Sequence, residues 1–178
     1  GSVRFDACEG PPKGGPSALL APMTEDAARS QPPMFVVNVE AFVWRESDGR
    51  YLMLQRGASE EIAPGTLVPP GGKLELDDPR EDTLARLLRR EVLEESGVEV
   101  TDARLAESKV FDGSFNGSPL PILDLVFWCR WVSGAPRAAD PEEVASLEWL
   151  SPEEIRADPR TMEWTRASLD LVEAVRPR

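Results

Sequence analysis

The apolar positions of the chain fall into two rhythms, and the changes between them mark its elements. From Met34 to Trp44 the text MFVVNVEAFVW is rich in β-branched and aromatic residues, which suit a pleated, half-buried strand. Glu46, Ser47, Asp48 and Gly49 supply turn chemistry before a second such run from Tyr51 to Gln55, so a hairpin is predicted. Between Gly57 and Gly71 stand Pro64, Gly65, Pro69 and Pro70, and this stretch reads mostly as loop. The rhythm turns helical from Pro79 to Ser96. There Leu84, Leu87, Leu88 and Val92 recur at helical spacing, Pro79 suits a first turn and Gly97 a stop.

Strand text returns at Glu99 to Phe111 and at Ile122 to Val132. The second is almost wholly apolar and is expected at the centre of a sheet. A Gly- and Pro-bearing link over Ser133 to Pro141 leads to a short strand near Ser146 to Leu150. Ser151, Pro152, Glu153 and Glu154 then read as a helix cap, a first-turn proline and acids favoured by the helix dipole. Thr161 to Val175 is the closing helix. Strands mixed with two or three helices and no internal repeat give an α+β or α/β class in one domain over 34–178. Residues 1–33 hold six of the seventeen prolines and little apolar periodicity, and are expected to form a flexible N-terminal tail. Gly1-Ser2 resembles a cloning scar, and Met23 and Met34 are each compatible with a natural start.

Charge and composition narrow the chemistry. Across 178 residues there are 20 Lys and Arg against 32 Asp and Glu, a formal charge of −12. Such a field repels long nucleic acid and anionic membranes, and a small anionic ligand needs a local cation. No histidine is present, which removes Ser-His-Asp and Cys-His catalysis and every His-containing metal site. Proton transfer near neutral pH falls to Asp, Glu, Lys, Cys, Tyr or a metal-bound water. Cys8 and Cys129 stand far apart with no CxxC, so neither a zinc ribbon nor a disulfide framework is suggested, and a reducing cytoplasm is the expected setting. No apolar run approaches the ~18 residues of a membrane span.

The helix at 79–96 sorts its charges. At about 100° per residue, Glu91, Glu94 and Glu95 share a sector with Leu84, Leu87 and Leu88, whereas Arg86 and Arg89 face away. A solvated acidic helix end is one reading of this run. Against it, clustered inward carboxylates are costly without a cation, and acids in a last turn oppose the helix dipole. A hard divalent ion, Mg2+ or Mn2+, resolves both conflicts through oxygen ligands.

The wider text runs Gly71-Gly72-Lys73-Leu74-Glu75 before the helix and Arg90-Glu91-Val92-Leu93-Glu94-Glu95-Ser96-Gly97-Val98 at its end. This resembles the Nudix hydrolase family, whose signature is Gly, five residues, Glu, seven residues, then Arg-Glu-apolar-x-Glu-Glu-x-Gly-apolar. The second half matches at every specified position. The first half departs from it. Eight residues before Arg90 stands Asp82 where the family has Glu, and Gly72 lies ten residues before Asp82 instead of six. A four-residue insertion is therefore expected within Leu76 to Glu81, with Asp82 or Glu81 in the first acidic position. The resemblance extends loosely over Met34 to about Val175, including Gln55-Arg56, Pro70-Gly71-Gly72 and Glu148-Trp149-Leu150-Ser151-Pro152-Glu153-Glu154.

The resemblance implies an α/β/α sandwich around a mixed sheet and a pyrophosphohydrolase acting on a nucleoside diphosphate linked to another group. It implies Mg2+ or Mn2+ held by Glu91, Glu94 and Glu95 with the Gly72 carbonyl, and Arg90, four before Glu94, orienting a carboxylate. Arg56 and Lys73 are candidate phosphate contacts. Glu142 or Glu143 is the candidate carboxylate from outside the signature, with Asp124 as a second. Trp44, Trp128, Trp131, Trp149 and Trp164 are candidates to stack a base. The expected partner is a small phosphorylated nucleotide. ADP-ribose, nucleoside triphosphates, dinucleoside polyphosphates and nucleotide sugars all remain open, with a mild preference for housecleaning hydrolysis. A catalytically inactive nucleotide-sensing module is the alternative, and intact Arg90, Glu91, Glu94 and Glu95 argue against it. A homodimer exchanging N-terminal segments is compatible with the sequence.

Overall fold

A computed structural model describes residues 34–60, 63–115 and 118–177. The flexible tail expected over 1–33 lies outside the described residues, as does Cys8. Seven strands form one sheet: β1 (Val36–Arg45), β2 (Arg50–Arg56), β3 (Leu67–Val68), β4 (Gly71–Lys73), β5 (Glu99–Phe115), β6 (Ser118–Ser133) and β7 (Val144–Leu150). Among the described residues three helices accompany them: α1 (Thr83–Ser96), α2 (Pro152–Ala157) and α3 (Glu163–Val175).

The main path across the sheet is β3-β2-β1-β6-β5; β4 also pairs β1, and β7 pairs β2. β1 and β6 run parallel from Val36 opposite Ile122 to Trp44 opposite Arg130, while the other pairings are antiparallel. The sheet is thus mixed. The apolar run of β6 lies beside β1 within it, as its lack of alternation predicts.

Alternation along β1 assigns the two faces. Val39, Ala41 and Val43 pack with Leu52 and with Leu87, Leu88 and Val92 of α1. Phe42 lies with Tyr51, Met53, Val126 and Trp128 against Ile155, Leu169 and Val172, so α2 and α3 cover the opposite face. The sandwich is that arrangement: one helix on one side and two on the other, each burying its apolar stripe.

Helix α1 begins later than predicted. Its first residue is Thr83, and Asp82 holds a left-handed conformation (φ 51°) with no side-chain cap. Pro79 lies before the helix, where its carbonyl accepts from the Thr83 hydroxyl at 2.7 Å. Leu84, placed by periodicity on the core stripe, is 37% exposed. The opposite outcome holds at Ser151: its hydroxyl accepts from Glu154 N while Glu154 reaches back to Ser151 N, a complete capping box. Strand β3 appears within the stretch read as loop and pairs with β2, and β4 begins at its last residue and brings Gly71 and Gly72 against β1.

Candidate active site

β4 is only three residues long, yet it fixes the site. Gly71 pairs with Glu40 and Gly72 with Val39, and Gly71 N donates to Glu95 Oε2 at 2.9 Å. A Cβ on Gly71 would overlap the Val39 carbonyl oxygen, and one on Gly72 would overlap the Glu91 carboxylate. Gly71 therefore lets β4 close on the β1 backbone, and Gly72 leaves room for the Glu91 carboxylate beside the strand.

The result is a pair of desolvated carboxylates facing a strip of bare backbone. Burial pushes the Glu95 carboxyl up to about 7, with the Gly71 N–H and the Arg56 charge opposing and the Glu91 and Glu143 charges adding to the rise. Glu91 is raised as well, chiefly by burial, with Arg90 pulling the other way. Glu94 stands apart: its side chain is 60% exposed and pairs with Arg90 Nη1 at 3.1 Å. Of the three signature acids, two meet at β4 and one points outward.

Arg90 joins these groups. Its guanidinium reaches Glu91 at 3.0 Å, and Asp78 accepts from its Nε at 3.2 Å and its Nη2 at 3.1 Å. Burial works against its charge, but Asp78, Glu91 and Glu94 together raise its pKa above the usual arginine value. The Asp78 side chain is only 5% exposed. Hydrogen bonding from Glu75 N, followed by Arg90, holds its carboxyl below the usual range.

This corrects the expected first acidic position. Asp82 and Glu81 are exposed residues in the approach to α1, and Asp78 is the acid that grips Arg90. Asp78 lies six residues after Gly72, so the spacing counted forward from the glycine is intact. The four extra residues fall between Asp78 and Arg90, where the chain bends through Pro79 before entering the helix. A forward count from Gly72 finds Asp78; a backward count from Arg90 passes it. Beside it opens a cavity of about 300 Å³ lined by Glu75, Asp77, Asp78, Pro79, Arg90 and Glu94, on the outer side of Arg90 rather than at Glu95.

The remaining candidates divide. Arg56 ends β2, pairs with Glu60 and bears electrostatically on Glu95. Lys73 is exposed at the end of β4. Glu143 is close enough to raise Glu95, whereas Glu142 is exposed and meets Gly57 and Ser59 through its backbone carbonyl. Asp124 is not at this site. It lies on the α3 face, accepting from Asn38 at 2.8 Å and pairing with Lys109 at 3.4 Å. Trp128 is buried in the core under α3, Trp44 packs on Tyr51 at 4.8 Å, and Trp131 and Trp149 meet edge to face at 6.3 Å. Trp164 is 48% exposed on α3. None of the five is at the β4–α1 contact.

Does a hard divalent cation suit this place? Among the described residues no three carboxylate or thiol groups already converge as a complete metal cluster. The donor chemistry nevertheless fits: two desolvated acids and a glycine carbonyl strip are oxygen donors whose negative charge Arg90 and Arg56 only partly offset. The Gly72 cradle keeps the Glu91 carboxylate against the strand where a side chain would displace it.

A model of the NUDIX domain matches residues 34–171. The chain belongs to the Nudix family. A MutT-like protein of Streptomyces ambofaciens is 34% identical over 137 residues, spanning 77% of each chain. The crystal structure of a MutT Nudix hydrolase from Burkholderia pseudomallei aligns with a TM-score of 0.63 and 25% identity, covering 78% of this chain and 98% of that one. A MutT protein from Methanosarcina mazei shares the fold, with a TM-score of 0.64 and 22% identity over 82% of this chain and 97% of its own. The α+β sandwich expected from the signature is the Nudix fold, and this Nudix protein is a pyrophosphohydrolase. Among the described residues no helix is long and apolar enough to cross a membrane.

Proposed function

We propose that this Nudix protein uses Mg2+ or Mn2+ to hydrolyse a phosphoanhydride bond in a small nucleoside diphosphate derivative, with housecleaning nucleotide hydrolysis as the preferred role. The observation that carries this reading is the meeting of Glu91 and Glu95 on the Gly71–Gly72 backbone, both desolvated and both raised in pKa. Glu91, Glu95 and the Gly72 carbonyl are the proposed ligands, with Glu94 swinging in from its exposed position beside Arg90. When bound, the ion neutralises phosphate oxygens and lowers the pKa of water.

The chain's own residues supply the rest. Arg56 offers a cation to a phosphate oxygen at the end of β2, and Lys73 offers another at the end of β4. Arg90, anchored by Asp78, orients Glu91 and Glu94. One of the signature carboxylates, or Glu143, accepts the proton of the attacking water, since no histidine is present. Glu143 is the carboxylate from outside the signature.

The deciding experiment is release of phosphate from nucleoside di- and triphosphates, ADP-ribose, nucleotide sugars and dinucleoside polyphosphates, with Mg2+, Mn2+ or EDTA. A coupled phosphatase reveals monophosphate products. Turnover of one class that EDTA abolishes is expected. Metal-independent turnover, or tight nucleotide binding with no turnover of any substrate, overturns the reading.

A further inference from the structure

The backbone that carries Glu143 is seated at a junction between β2 and the start of β7. β2 and β7 pair regularly until the register shifts between Gln55, opposite Ser146, and Arg56, opposite Val144. Ala145 is the extra residue of that bulge, which turns the end of β7 toward Arg56. Gly57 follows at once, buried, and its N–H donates to the Glu143 carbonyl at 2.7 Å. A Cβ on Gly57 would overlap the Glu142 carbonyl oxygen and stand 2.8 Å from its carbon. These are backbone atoms, so no rotamer change relieves the clash.

One junction thus holds together the backbones that carry Arg56 and Glu143. Arg56 comes from β2 and Glu143 from the loop before β7, and both act on the same carboxyl. Their separation is set where the two backbones touch, at Gly57. The glycine's φ is unexceptional, since it is not among the residues with a positive value. Space, rather than backbone freedom, is therefore what requires glycine here.

We propose that Gly57 is a positioning residue for the hydrolytic site: its bare Cα lets the 140–143 loop close on β2 and so fixes where Glu143, the proposed carboxylate from outside the signature, stands. This inference rests on the metal-dependent reading above and goes beyond it by naming what places Glu143. Gly57 touches no substrate in this scheme; it acts through the loop.

A double-mutant cycle tests it. Gly57→Ala, Glu143→Gln and the pair are compared in the full chain for kcat, KM and Tm, using the best substrate of the panel with saturating Mg2+. Each single change is expected to lower kcat by about tenfold or more with a smaller change in KM, and the double variant to be no slower than Glu143→Gln alone. Pro141→Gly, which slackens the loop without placing an atom against Gly57, guards against a variant that fails to fold. Its loss of kcat, about threefold, is also expected to vanish in the Glu143→Gln background. Losses that multiply in the double variants overturn the proposal, as does a fall in Tm with unchanged kcat. Glu95→Gln run in parallel separates the two levels. If it retains full activity, the catalytic reading falls and this inference with it; if it is inactive while the Gly57 and Glu143 losses multiply, only this inference falls.

Discussion

Two groups of buried acids flank the central strands, and they meet the cost of burial differently. On the α3 face, Asp124, Glu107 and Glu40 surround Lys109. The ammonium lies 3.4 Å from Asp124 and 3.0 Å from Glu107, and it donates to Ser168 at 2.8 Å. Ser168 in turn donates to Glu107 at 2.6 Å, and Asn38 donates to Asp124 at 2.8 Å. On the α1 face, Glu91 and Glu95 have a backbone N–H and the flanking charges of Arg90 and Arg56. In the first group Asp124 and Glu107 close around Lys109, and Glu40 beside them is pushed up to about 8 by burial, so it carries a proton at neutral pH. The second presents its acids to open backbone, and Arg90 is already shared with Asp78 and Glu94. The first arrangement needs no further cation; the second, only partly offset by Arg90 and Arg56, is what the proposed ion would complete.

The sharpest way to break this comparison is to remove one acid from each side. Glu95→Gln keeps an acceptor for the Gly71 N–H but deletes a charge that the proposed ion requires. We expect kcat to fall by at least ~10²-fold, as for Glu91→Gln, while the Tm of the metal-free protein holds or rises because a desolvated charge is gone. Lys109→Met should do the reverse. Stranding Asp124 and Glu107 is expected to cost about 3 kcal/mol, lowering Tm by roughly 6–12 °C, while Mn2+ affinity measured by calorimetry stays unchanged. A large loss of metal affinity in Lys109→Met would merge the two regions into one site.

Titration separates them more gently. Burial, reinforced by the Asp124 charge, pushes the Glu40 carboxyl up from 4.5 to about 8, with Lys109 and Arg56 opposing and Glu107 adding. Between those two pH values the folded protein keeps a proton that the unfolded chain has released. Stability therefore falls as pH rises through this window and levels off above it. In EDTA, Tm should drop between pH 5 and 8, and Glu40→Gln should flatten the drop; calorimetry across that range is the check. A steep decline of equal size in Glu40→Gln would place its origin elsewhere. Glu95 has the same sign with an upper limit of about 7, and metal binding should weaken below that pH as protons compete for the carboxyl.

What the sequence discloses follows from how each feature is built. β1, β2 and β6 carry their own apolar pattern, and the second half of the signature lies on one helix, so both are readable residue by residue. β3 and β4 have two and three residues, too few for a period; β3 pairs with β2, and β4 reaches β1 because Gly71 lets the chain approach its backbone closely. Asn38, Asp124 and Lys109 are single polar residues inside strands. Their meaning appears only when the β1–β6 and β6–β5 registers set them in one row. Asp78 was within reach of a forward count, whereas Gly57 was not: nothing local announces that another backbone will occupy the place of its missing side chain.

The smallest expected effect tests where the α1 stripe ends. Leu84 shares the helical sector of Leu87 and Leu88, yet it is 37% exposed whereas Leu87 and Leu88 are buried. The reason lies just upstream. With Asp82 left-handed, α1 begins at Thr83, one residue before Leu84, so Leu84 sits in the first turn with no preceding turn to cover it. Leu84→Ala should therefore change stability by no more than about 0.5 kcal/mol, and Leu88→Ala should cost about 2–5 kcal/mol through the cavity it leaves. Chemical denaturation of the two variants measures both. Equal costs would mean that the first turn packs as tightly as the second, and that the displaced start of α1 does not lift Leu84 from the core.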